Sequence, residues 1–158
     1  MLEVEYIEAN HKDLNIIGPL WQKQLEHHMT HSKHFKKQLG SATFEGRAIE
    51  LLGKSEHGDM LIDLVKDVST KNIVGYCVST IDMNRQGEID SIYVEPEYRR
   101  DGIGKSLMER AISWMNSKSV TRKMLVVADG NEEVFDFYKQ FSFYPKTTIL
   151  VQNENERG

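Results

Sequence analysis

The chain has 158 residues, the size of one compact domain, enough to bury about two-thirds of its unfolded surface without staples. It is 39% hydrophobic and 28% charged, with a net charge of −4, a balance that argues against disorder and against a protein built mainly to grip nucleic acid. The single cysteine, Cys77, excludes an internal disulfide and any multi-cysteine metal centre. No apolar run approaches the roughly 20 residues that span a bilayer. The acidic start Met1-Leu2-Glu3-Val4-Glu5 lacks the basic and apolar regions of a signal peptide. The expectation is a cytoplasmic, membrane-free domain over 1–152 with a disordered tail at 153–158.

Val4-Glu5-Tyr6-Ile7-Glu8 alternates loosely and predicts a short first strand. From His11 to about Glu56 the texture is helical. Asp13 suits the cap of a first turn, and Pro19 the first position of a helix carrying Leu20, Trp21, Leu25 and Met29. Thr43 suits the cap of another, with Phe44, Ala48, Ile49, Leu51 and Leu52 as its buried face. Residues 60–65 and 72–80 are β-rich runs either side of a polar turn. Residues 88–94 follow as a third long strand, which stops before Pro96 because proline offers no amide proton to a ladder.

The period then changes from two to 3.6. Ile103, Leu107, Met108, Ala111, Ile112 and Met115 form an apolar helical stripe over about 102–118. Residues 123–128 read as a short strand buried on both faces. Asn131-Glu132-Glu133 reads as a capped, acid-rich start of a helix with Val134, Phe137, Tyr138 and Phe141 facing inward, and 147–151 as a last strand. This order predicts an α/β (α+β) mixture around a mostly antiparallel sheet.

The chemistry concentrates where the third strand gives way to the stripe helix, at Arg99-Arg100-Asp101-Gly102-Ile103-Gly104-Lys105-Ser106. A helix start leaves amide N–H groups unpaired at the positive end of the macrodipole. Glycine lets backbone approach an anion closely, and Arg99, Arg100 and Lys105 add positive charge. The segment therefore fits a bound phosphate or pyrophosphate. A Walker A loop would need glycine where Arg99 stands, so the Gly104-Lys105-Ser106 tail matches only in part and leaves a nucleotide-phosphate binder as a weaker reading. A dinucleotide fingerprint would need glycine at Leu107. The pattern Arg or Gln, two residues, Gly, one residue, Gly or Ala is met in full by Arg99, Gly102 and Gly104.

On these residues the sequence resembles the GNAT superfamily of acyl-CoA-dependent N-acyltransferases. Ile92-Tyr93-Val94-Glu95-Pro96-Glu97-Tyr98 is similar to the family's approach to the loop, and Asn131, Val134, Phe137-Tyr138 and Phe141-Ser142-Phe143 to its second half. Val134 stands where the family commonly has alanine and Ser142 where it has glycine. The resemblance is specific over about 73–150, and 1–56 fits by element order alone.

The resemblance implies a GNAT-like fold, with a mixed, mostly antiparallel sheet of six to seven strands and about four helices. It implies acetyl-CoA as the acyl donor, a primary amine as acceptor, and direct transfer in a ternary complex. Amides from Arg100 to Lys105, within the binding run Arg99 to Ser106, would hold the pyrophosphate. Ile92, Tyr93 and Val94 would flank the pantetheine arm, the Val94 amide would polarise the thioester carbonyl, and Asn131 would contact the arm or help order its helix. Tyr138 would touch the donor and protonate the departing thiolate. Glu88, eleven residues before Arg99, matches where several members carry a strand glutamate as general base, with Asp90 able to assist. The alternative is a non-catalytic acyl-CoA sensor of the same fold.

His27, His31 and His34 share one helical face, but His28 stands where a zincin needs glutamate, so no metal is expected. The cluster instead reads as an exposed helix flanking the acceptor entrance. Three basic against seven acidic residues lie between His57 and Pro96, which favours a cationic acceptor there. The last strand and the exposed sheet edges leave room for a homodimer.

Overall fold

The computed structural model describes residues 2–156. The chain divides into two compact units, Met1–Gln24 with Thr43–Val126 and Leu25–Ala42 with Val127–Gly158. The first holds the sheet: β1 (Val4–Ala9), β2 (Asp59–Asp67), β3 (Ile73–Ile81), β4 (Gln86–Val94) and β5 (Arg122–Leu125), in that spatial order. The first three pairings are antiparallel, and β5 runs parallel to β4. Among the described residues there are five α-helices, α1 (Gly18–His31), α2 (Lys36–Gly40), α3 (Phe44–Ser55), α4 (Ile103–Ser117) and α5 (Phe135–Lys139), of which α2 and α5 belong to the second unit.

The mixed, mostly antiparallel sheet has five strands among the described residues, not six to seven. Residues 147–151 form no strand, and Leu150 is 90% exposed. β-Propensity records what fits a pleated surface, but only a paired neighbour makes a strand. β5 ends at Leu125 rather than continuing to Ala128, and its residues are half-exposed rather than buried, because it lies at the sheet edge with one partner.

α4 supplies much of the first unit's core through Ile103, Leu107, Met108, Ala111 and Met115. A Cβ at Gly87 would stand 2.9 Å from the Met115 sulfur, so the glycine lets α4 lie close on β4. Side chains alternate along a strand, so Glu88 and Asp90 face away from α4 and reach Lys54 of α3. The two helices thus cover opposite faces. Thr43 caps α3 through its hydroxyl, which accepts from the Gly46 N–H at 3.1 Å. Of the apolar face expected for α3 only Leu51 is buried, while Ile49 and Leu52 are exposed, since a helix lying on a sheet buries one narrow stripe. Asn10, not Asp13, caps the first turn, accepting from Lys12 N–H at 2.9 Å.

In the second unit, Leu25 is the buried apolar side chain among the described residues. Asp129 Oδ2 accepts from the Ser32 hydroxyl and from the Lys33 and His34 amides at 2.8–3.1 Å, and those two amides hold its carboxyl below the usual range. Asn131 precedes a 3-10 turn, Glu132–Val134, but makes no side-chain capping bond, contrary to expectation. α5 ends in a Schellman turn, with Phe143 N–H donating to Tyr138 O and Ser142 N–H to Lys139 O. Of the expected tail, Glu154–Glu156 form a 3-10 turn, and Glu156 lies 3.0 Å from His34 Nδ1. Arg157 and Gly158 lie outside the described residues.

Candidate active site

β4 ends where Glu95 N–H donates to Val74 O at 2.8 Å and Pro96 begins a 3-10 turn, Pro96–Tyr98. The Tyr98 hydroxyl donates to Asp67 Oδ2 at 2.5 Å, fastening this loop to the end of β2. Arg99 donates from Nε to Val94 O at 2.7 Å, and its guanidinium lies 5.4 Å from the Tyr93 ring centre. Arg100 (φ 74°) and Gly102 (φ 79°) both adopt the left-handed conformation, after which α4 starts at Ile103. A Cβ at Gly102 would meet nothing within 4 Å, so glycine is suited here by backbone conformation rather than by space.

The first intrahelical bond of α4 runs from Ser106 N–H to Gly102 O at 3.0 Å, and no side chain caps the start. The amides of Ile103, Gly104 and Lys105 precede it without intrahelical acceptors. Asp101, Gly102 and Lys105 are exposed, and Lys105 lies 3.9 Å from Glu109. A 15-residue helix with three open amides, a lysine and an adjacent arginine fits the diphosphate of a coenzyme A.

Antiparallel pairing turns alternate residues toward the partner. With Glu95 facing β3, the N–H and C=O groups of Val94 and Ile92 point away from it. β5 pairs with β4 only as far as Ile89, so beyond that residue the outer edge of β4 carries no strand among the described residues. Side chains occupy the carbonyls there: Gln24 Nε2 donates to Ile92 O at 2.9 Å and Arg99 to Val94 O. Gln24 also accepts from the hydroxyls of Tyr76 and Ser91, at 2.6 and 2.8 Å. An extended ligand along this edge would use the amides first.

Glu88 and Asp90 are joined by a residue the sequence reading did not single out. Lys54 donates from Nζ to Glu88 Oε1 at 2.7 Å and to Asp90 Oδ1 at 2.6 Å, and Thr80 donates to Asp90 Oδ2 at 2.7 Å. Asp90 lies at a bulge, since adjacent Val78 and Ser79 pair with Ser91 and Ile89. Its side chain is 1% exposed, that of Glu88 19% and that of Lys54 28%. Burial raises the Asp90 carboxyl, against the pull of Lys54 and Thr80. Burial works against the Lys54 charge too, but hydrogen bonds to Asp90 and Glu88 carry its ammonium above the ordinary lysine range. Glu88 Oε2 accepts no hydrogen bond among the described residues. The one available signal was Arg47 and Lys54, seven apart on one face of α3, where Arg47 also donates to Asp90 O at 3.1 Å.

Tyr138 and Asn131 belong to the second unit. Tyr138 is half-buried on α5, its ring edge-on to Phe137 at 5.3 Å, and Phe137 meets Phe141 at 5.4 Å. Ser142, where the resembled pattern has glycine, stands at φ 64°. Burial pushes the Cys77 thiol up to about 12, so it carries no thiolate near neutrality. The His27 and His31 rings stack at 4.2 Å, and burial followed by these two neighbours lowers His28. No trio of His, Cys, Asp or Glu among the described residues is grouped to hold a metal ion. No described helix is long and apolar enough to cross a membrane.

The model of the acetyltransferase (GNAT) family matches residues 22–143. An uncharacterized N-acetyltransferase of Methanocaldococcus jannaschii is 31% identical over 72 residues, covering 46% of this chain and 32% of that protein. The thialysine N-epsilon-acetyltransferase of Bos taurus is 35% identical over 51 residues, covering 32% and 30%. This chain therefore spans about a third of the length of either relative. The crystal structure of a GCN5-related N-acetyltransferase from Ralstonia eutropha JMP134 superposes with a TM-score of 0.72 over 95% of this chain and 98% of that one, at 16% identity, a likeness of fold.

Proposed function

Because the chain belongs to the acetyltransferase (GNAT) family, we propose that it transfers the acetyl group of acetyl-CoA to a primary amine by direct attack within a ternary complex. The observation that carries this reading is the strand–loop–helix start after β4: three open amides on α4 follow the arginine–glycine loop, beside a strand edge left unpaired past Ile89. Bound acetyl-CoA supplies an activated thioester. Amides from Arg100 to Lys105 hold its diphosphate, Ser106 closes that turn, and the Ile92 and Val94 amides receive the pantetheine arm alongside Tyr93. Asn131 contacts the same arm.

A primary amine is an ammonium near neutrality, with a pKa of about 10.4, and must shed a proton before it attacks. Glu88 accepts that proton through its open Oε2, directly or through water. The nitrogen lone pair then forms a bond to the carbonyl carbon, the Val94 amide steadies the oxyanion, and the carbon–sulfur bond breaks. Tyr138 gives its proton to the departing thiolate, the second proton on the acylated nitrogen leaves to solvent as the amide forms, and the tyrosinate regains a proton from solvent. The acidic excess of residues 57–96 suits a cationic acceptor such as a polyamine, an amino compound or a peptide amine. We place the reaction in the cytoplasm, where acetyl-CoA is available.

A second reading, a non-catalytic acyl-CoA sensor, draws on the Lys54 ion pairs, which already engage both carboxylates. One experiment separates the two. The purified chain is titrated with coenzyme A by calorimetry, then assayed for thiol release from acetyl-CoA against a panel of primary amines. Binding with amine-dependent release supports the enzyme, binding without release supports the sensor, and no binding overturns both.

A further inference from the structure

Lys54 presents, to Glu88 (the proposed acceptor of the amine proton) and to its neighbour Asp90, the same chemical group that the acceptor carries. Its Nζ is a primary ammonium on a flexible stem, held 2.7 Å from Glu88 and 2.6 Å from Asp90. An acceptor amine entering this site is also a primary ammonium, with the same donors and the same charge. With Lys54 in place an acceptor finds only Glu88 Oε2, and the position that bridges Glu88 Oε1 and Asp90 Oδ1 cannot hold both ammonium groups. Asp90 cannot serve the newcomer from another side, because it is buried and its second oxygen is taken by Thr80.

The arrangement is built for exchange rather than for a sealed core pair. Lys54 lies one residue from the end of α3 and keeps 28% of its side chain exposed, so it can withdraw into water without unfolding its helix. Arg47, also on α3, binds Glu50 and the Asp90 carbonyl rather than either carboxylate. When Lys54 leaves, the carboxylates are therefore left open to an incoming cation.

We propose that Lys54 is a specificity-determining residue that occupies the ammonium position between Glu88 and Asp90, so that an acceptor ammonium bridges the two carboxylates only by displacing it. The site thereby selects against weakly basic or neutral nucleophiles, which cannot replace an ammonium, and favours acceptors with a second cationic anchor. This inference rests on the acetyl-transfer reading for the identity of the acceptor, and its test does not require turnover.

The test measures 1,4-diaminobutane binding by calorimetry without acetyl-CoA, in the wild type and in Lys54→Met, which keeps the stem and removes the charge. Tighter binding by at least tenfold in Lys54→Met, lost again when Asp90→Asn is added, is the expected result. Equal or weaker binding in Lys54→Met overturns the proposal. Should that variant lose its cooperative melt, Lys54→Gln is measured in the same way and decides. Where turnover is measurable, Lys54→Met lowers KM for the diamine with kcat changed less; a fall in kcat with KM unchanged would instead make Lys54 a brace for Glu88 and also overturns it. Tighter binding without acetyl transfer leaves this inference standing and removes the acetyltransferase reading; transfer with unchanged binding does the reverse.

Discussion

Arg110 on α4 grips Asp63 on β2 side-on, with Nε to Oδ2 and Nη2 to Oδ1 both at 2.9 Å. The partners are unequally wet: Asp63 is 1% exposed and Arg110 36%. Removing the arginine strands a buried carboxylate, whereas removing the aspartate leaves a guanidinium that still has solvent, Glu8 at 3.6 Å and the Tyr6 ring at 5.1 Å. Arg110→Met should therefore cost about 3 kcal/mol of stability, and Asp63→Asn only about 1 kcal/mol. Denaturant unfolding of both variants checks the order, and equal losses would show that the pair is not held by the burial of Asp63.

Ser142 occupies the C′ position of the Schellman turn that closes α5, at φ 64°. A side chain there crowds the following carbonyl, a cost of roughly 1 kcal/mol that glycine avoids. Against this, glycine loses more conformational freedom on folding. Ser142→Gly should yield a net gain of about 0.5 kcal/mol, read as slower hydrogen exchange at the Phe143 amide, which donates to Tyr138 O. Faster exchange would mean that serine contributes something the backbone geometry does not reveal.

The long strands and the arginine–glycine loop were legible because their signals are local: a period of two, a proline, and glycines at fixed spacing. What failed depended on neighbours. Residues 147–151 have strand-like side chains but no ladder partner, and Ile49 is apolar at a helical position that faces water. Lys54 is the sharpest case. In the sequence it is one lysine among many on a helical surface, and only the register of β4 against α3 brings it onto Glu88 and Asp90. Gln24 was missed for the same reason, since 68 residues separate it from the Ile92 carbonyl it holds.

Glu88→Gln removes the proton acceptor and leaves Lys54 its bond to Asp90. If Glu88 is the base, kcat/KM should fall about 100-fold near neutrality. The deficit should narrow as pH approaches the amine pKa of about 10.4, because an amine already neutral needs no base. A wild-type profile across about pH 6–9 in this variant would remove Glu88 from the mechanism.

Tyr138→Phe keeps the ring that packs on Phe137 and deletes only the hydroxyl. If that hydroxyl protonates the leaving thiolate, turnover should slow by roughly 10- to 100-fold while coenzyme A affinity by calorimetry stays within about twofold. Full activity would assign Tyr138 to packing alone.

The Lys54 ammonium is held above the ordinary lysine range by Asp90 and Glu88, despite the opposing effect of burial. A cation whose folded pKa is raised adds stability that is fully present below its unfolded pKa of about 10.4 and is lost as pH climbs through the higher folded value. The stability difference between wild type and Lys54→Gln should therefore be level from about pH 7 to 9.5 and shrink steadily above about pH 10.5. Tyrosines and other lysines titrate in the same window, so the difference between the two melting curves is the informative quantity rather than either curve alone. A gap that stayed constant to pH 11.5 (an assay limit, about one unit above the reference lysine) would mean that the carboxylates do not hold the Lys54 proton. The contacts at 2.6 and 2.7 Å would then be no stronger than a surface ion pair.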